Sequence, residues 1–157
     1  MLPPRLFFRP PPEIIRVLRA EHDKIRTYFL AYLLARKPQH KQRIGLRTLG
    51  VLERHTRLEE TVFFPAFAAV TDAEGRAQMR RSLEEHQACA PLMQALRASA
   101  PDDPAFHAQF RVLIDTMQHN MDEEEQAVFP RAAEALMAHD AALQRAMQAF
   151  RHRSPGS

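Results

Sequence analysis

Cysteine is almost absent from this chain. Cys89 stands alone among 157 residues. That excludes an internal disulfide framework and any CxxC cluster, and makes a reducing compartment the default. Glycine is scarce at 4. Val, Ile and Tyr are few beside Ala, Leu, Arg, Glu and Gln, so composition favours helix over sheet. No apolar run is long enough to span a bilayer. The opening MLPPRLFFRPPP is too short in its apolar part and too rich in proline for a secretory signal. A formal net charge of +3, with the basic residues spread out, leaves no nucleic-acid footprint. These absences predict a soluble cytoplasmic protein that binds neither membrane nor nucleic acid.

What is present is enough for one domain with a real core, with hydrophobic residues at 45%. Pro10, Pro11 and Pro12 close an irregular N-terminal arm over 1–12, and a first helix begins there. Ile15, Leu18, His22, Ile25, Phe29 and Tyr32 recur at steps of three and four, one stripe of an amphipathic helix that stops near Pro38. A second helix runs from about His40 to about Val70, with Ile44, Thr48, Val51, His55, Glu59, Val62 and Ala66 on one face and a kink at Pro65. Thr71-Asp72-Ala73-Glu74 resembles a capping box for a third helix. Its stripe is Met79, Leu83, His86, Ala90 and Met93. Asp103 and Pro104 start a fourth helix that reaches about Met137, with Pro130 late in it. Asp140 caps a short fifth helix reaching Phe150, and 151–157 is a frayed tail. Short connections between long helices mean antiparallel neighbours. The expected fold is all-α: an up-down-up-down four-helix bundle over 13–150, with the short fifth helix at its C-terminal end.

The stripes carry polar residues that a plain core avoids. His22 and His55 are 33 residues apart, and so are His86 and His119. His22, His55 and Glu59 reappear 64 residues later as His86, His119 and Glu123, and Glu21 and Glu60 as Glu85 and Glu124. His55–Glu59 and His119–Glu123 are i, i+4 pairs, each projecting from one side of its helix. The turns near Pro38, Thr71 and Asp103 fall about midway between successive histidines. In an antiparallel bundle all four imidazoles then meet in one layer, roughly 23 Å of helix from the turns at about 1.5 Å per residue.

A single such histidine is ordinarily a core or boundary residue, and a single HxxxE pair a surface contact worth about 0.2–0.5 kcal/mol. The joint pattern points elsewhere. Two carboxylates and four imidazoles in one buried layer need a compensating charge. A dinuclear metal site supplies it, and the donors alone suit iron, manganese or zinc. His40, His107, His139 and His152 lie near helix ends and are expected in solvent. Cys89 is expected to be a buried inert thiol, and Tyr28 and Tyr32 to sit at the core edge. Two details stand apart. A local bulge in Glu123–Glu125 would bring in Glu124 instead of Glu123. Pro65 and Pro130 are offset by 65, which places one extra residue in the fourth helix just past the site.

The segments AEHDKIR, HTRLEETVFFPAF, EEHQA and HNMDEEEQAVFPRA resemble the haemerythrin family in its HHE cation-binding form, over about Glu13 to Met137. Ferritin-like bundles use ExxH pairs, and none of the eight histidines here has one. The resemblance implies two iron ions, with manganese or zinc less suited. His22 and His55 would bind one, His86 and His119 the other, and Glu59 and Glu123 would bridge them. Oxygen-carrying members place a fifth histidine one turn from the third-helix ligand, where this chain has Ser82 and Ala90. Six protein ligands leave positions open to a small molecule. The resemblance therefore implies a protein that binds or reacts with oxygen, peroxide or nitric oxide in sensing, scavenging or stress response. Its alternatives are a regulatory module that reads iron or oxygen state without turnover, and iron handling. Catalytic residues are not assigned. Leu6, Phe7 and Phe8 either cover the bundle's end or dock a protein partner.

Overall fold

The computed structural model describes residues 9–153. The arm element Leu6–Phe8 and the tail beyond Arg153 lie outside the described residues. Helix α1 spans Glu13–Leu34 and α2 spans Pro38–Leu58. A π turn, Glu59–Phe63, carries α2 directly into α3, Phe64–Val70. Helix α4 is Ala73–Ala98 and α5 is Ala105–Glu123. A second π turn, Glu124–Val128, leads into α6, Phe129–Ala135. After a 3₁₀ turn, Met137–His139, comes α7, Asp140–Arg153. There is no strand among the described residues. Four rods, of which the second and fourth each contain a π turn, make the expected bundle. The fifth helix is longer than its expected end at Phe150 and includes the first residues assigned to the tail.

The helix starts follow local chemistry. Asp72 caps α4 by accepting from the Gly75 N–H at 2.9 Å. Asp103 accepts from the Ala105 N–H at 2.9 Å at the head of α5. Asp140 reaches across to accept the free Glu13 N–H at 2.9 Å, which ties α7 to the start of α1. Pro65 and Pro130 each follow a π turn. A proline ring clashes with the carbonyl four residues back and has no N–H to give it. The wider turn relieves that conflict, and the Phe64 and Phe129 N–H groups bond to the carbonyls of Glu59 and Glu124.

The core is divided in two. One half gathers Ile14, Leu18, Phe63, Phe64, Phe67, Phe129 and Leu136, closed by Leu143, Met147 and Phe150 of α7. The other gathers Ile25, Phe29, Tyr32, Leu49, Leu52, Phe106, Phe110 and Met117. Between them lie buried His22, His55, Glu59, His86, Asn120 and Glu124. All six stripe residues expected on α1 are buried. On α4 the stripe shifts: Ala90 is exposed and Cys89 is buried in its place.

Candidate metal centre

The polar layer is built by four helices, with each ring placed by a carboxylate outside it. His22 Nδ1 donates to Glu125 Oε1 at 2.8 Å, His55 Nδ1 to Glu21 Oε2 at 2.7 Å, and His86 Nδ1 to Glu60 Oε1 at 3.0 Å. Each bond holds its imidazole as the tautomer whose Nε2 is free to face inward. The rings are packed as well as tethered. His22 stacks on Phe129 at 5.3 Å between centroids, and His86 tilts against Phe64 at 5.8 Å.

The inward nitrogens meet two carboxylates. Glu59 Oε1 lies 3.8 Å from His22 Nε2 and 3.3 Å from His55 Nε2, while its Oε2 lies 3.3 Å from His86 Nε2. Glu124 Oε2 lies 3.4 Å from His22 Nε2 and Oε1 3.9 Å from His86 Nε2. These separations are long for hydrogen bonds. All four carboxylate oxygens and His86 Nε2 are buried with no hydrogen-bond partner. Donors of His22, His55, Glu59 and Glu124 lie within 4.8 Å of one another. Buried carboxylates without partners are strongly disfavoured, and imidazole nitrogens with carboxylate oxygens are the donors that transition-metal ions take. The residues present therefore fit a metal.

Protons respond to the same crowding. Burial by itself would lower the His22 pKa, but the Glu124 and Glu59 carboxylates outweigh it and raise it to about 9. Burial opposes the proton on His55 too, and Glu59 and Glu21 raise its pKa to about 10. Burial works against the Glu59 charge, yet His55, His22 and His86 hold it well below the usual carboxylate range. Burial, then the neighbouring Glu59 charge, push Glu124 up. Without metal, protons supply the positive charge that the layer needs.

Of the six expected ligands, the structure brings together His22, His55, Glu59 and His86. The other two are corrected. His119 and Glu123 point outward, their side chains 63% and 49% exposed, 3.6 Å from each other. His119 also lies 3.7 Å from Glu85. Glu124 and Asn120 occupy the buried face instead, both 0% exposed. The expected bulge exists, but it begins at Glu124, and Asn120 upstream of it is already inside. The extra residue of the second half therefore enters before the site and not past it. The connection between α4 and α5 covers 99–104, against 35–37 between α1 and α2. One residue of added register turns a helix by about 100°, which moves His119 and Glu123 off the inner face.

The signal for Asn120 and Glu124 was present in the chain. Phe106, Phe110, Leu113 and Met117 step along α5 by four, three and four. The next steps of three and four fall on Asn120 and Glu124. The outer carboxylates Glu21, Glu60 and Glu125 lie one place along from layer residues and carry no separate pattern.

An all-α bundle with a buried histidine–carboxylate layer at its waist defines a class of cation-binding helical domains. The profile of the Hemerythrin HHE cation binding domain matches residues 13–132, and the chain belongs to that family. A protein of Nostoc sp. described as a DNA nickase is 25% identical over 113 residues, 72% of this chain. The chain spans 31% of that relative's length. No solved structure matches the chain. No helix among the described residues is long and apolar enough to cross a membrane.

Proposed function

We propose that this domain is a non-haem iron protein that binds or reacts with oxygen, peroxide or nitric oxide as a sensor or scavenger. The observation that carries it is the buried layer of three inward Nε2 atoms around two carboxylates with no internal partner. His22, His55, His86, Glu59 and Glu124 would hold the metal. Iron bound there supplies a redox-active Lewis acid for a small ligand. The chain's own part is to orient and to exclude. Glu125, Glu21 and Glu60 fix the ring tautomers, and the Phe63, Phe64 and Phe129 wall keeps bulk water from one side of the layer. The depth of the layer favours a small ligand over a polymeric one.

The same depth weighs against the second reading, DNA nicking, whose support is the Nostoc relative. A duplex phosphodiester cannot reach ligands that are 0–2% exposed without the bundle opening. Elemental mass spectrometry on protein expressed with ample iron, followed by optical titration of the reduced protein with oxygen, peroxide and nitric oxide, tests the proposal. Bound iron with a spectral response to one of them supports it. Iron with no response to any would leave an iron-state module, and metal-free protein would sink the metal reading. A supercoiled-plasmid assay with the same preparation tests nicking.

A further inference from the structure

The halves of this bundle repeat with two different offsets. Glu21 and His22 of α1 recur as Glu85 and His86 of α4, an offset of 64. From α2 onward the offset is 65: Glu59, Glu60, Phe64 and Pro65 recur as Glu124, Glu125, Phe129 and Pro130, and the two π turns coincide. The contacts obey this frame. His22 bonds Glu125 and His86 bonds Glu60. His22 lies on Phe129 and His86 on Phe64. At an offset of 65 the counterpart of His55 is Asn120.

Asn120 is fully buried. Its Nδ2 donates to Ser82 Oγ at 3.4 Å, and its Oδ1 has no partner. Ser82 stands one turn before His86, and Asn120 one turn before Glu124, so the amide sits on the faces that carry those donors. The carboxylate outside it is also displaced from its expected task. Glu21 accepts from His55, whereas its counterpart Glu85 has a buried Oε2 without a partner and lies beside the exposed His119 and Glu123.

We propose that the layer offers two unequal metal positions. The first is formed by His22 Nε2, His55 Nε2, Glu59 Oε1 and Glu124 Oε2. The second is formed by His86 Nε2, Glu59 Oε2 and Glu124 Oε1, with Asn120 Oδ1 in the place of a fourth imidazole. The partition follows from the distances, since each carboxylate turns one oxygen to each side. With one nitrogen and three oxygens the second position is the weaker, and it discriminates less against a harder divalent ion such as Mn(II) than the first position does. This rests on the metal-binding reading above.

The test is equilibrium dialysis of the metal-free chain against Fe(II) under argon and, separately, Mn(II), with metal counted before and after desalting. One Fe(II) is expected to survive desalting, with a second equivalent at least about tenfold weaker. Mn(II) should narrow that gap. Asn120→His should raise the retained iron to two per chain, because it restores a fourth imidazole at the counterpart of His55. Should that variant misfold by circular dichroism, His86→Ala serves instead. It should abolish only the weak equivalent, whereas His55→Ala should abolish the tight one. Two equally retained irons in the unaltered chain, or loss of the tight equivalent in His86→Ala, would overturn the inequality and leave the metal reading standing. No bound metal of either kind would overturn both.

Discussion

The Nε2 atoms of His22 and His55 lie 3.1 Å apart inside the bundle. Two imidazole nitrogens approach that closely only with a proton or a metal ion between them. The tethers to Glu125 and Glu21 already occupy both Nδ1 positions, so the shared space is reserved for a cation.

Ligand variants separate the inner face of α5 from its outer face. His55→Ala or Glu59→Gln should remove the tightly held metal while helicity stays intact. His119→Ala and Glu123→Gln, on the exposed face, should keep full metal content. Loss of metal in His119→Ala by elemental analysis would mean that α5 sits in the other register.

Alkali should weaken the metal-free protein selectively. His22 and His55 bind a proton more tightly when folded, at about 9 and about 10 against 6.5 for the free side chain. That stability is fully present below pH 6.5 and is lost as pH rises through 9 to 10. Thermal midpoints of the metal-free chain should therefore fall across that window. The loaded chain, in which metal replaces the protons, should fall less. Parallel curves would refute the account.

The outer carboxylates should matter nearly as much as the ligands. Burial tends to raise the Glu125 pKa, but Arg26 and His22 hold it down, with Arg26 bonded to it at 2.9 Å. Glu125→Gln should lower metal affinity by about 10–100-fold. Arg26→Ala should act in the same direction more weakly. Competition with a coloured chelator gives both numbers, and an unchanged affinity in Glu125→Gln would show that the tether is incidental.

Cys89 should be inert. Burial, reinforced by Glu85, pushes its thiol up to about 11, and the residue is 2% exposed. Thiolate is the reactive form. Labelling with an aromatic disulfide at neutral pH should run much slower in the folded chain than in denaturant, and equal rates would be the contrary result.

Much of this was legible from residues alone. The stripe of α1 is buried as spaced, the cap at Asp72 forms, Asp103 accepts from the Ala105 N–H one place before the N-cap Pro104, and His22, His55, Glu59 and His86 converge. Each of these depends on local chemistry or on the height of a residue above a turn. Cys89 is buried as expected, whereas Ala90, placed on the same stripe, is exposed, because adjacent residues differ by about 100° in direction.

The chain by itself determined the helices, their order and the presence of a polar layer, because periodicity and capping act within a few residues. Its histidine–glutamate spacing did not determine which face of α5 turned inward. His119–Glu123 and Asn120–Glu124 are both i, i+4 pairs on the same helix, equal in local geometry. The tertiary structure chose between them. Phe106, Phe110, Leu113 and Met117 face the core. Burying that apolar row carried Asn120 and Glu124 inside with it and left the fourth histidine in solvent.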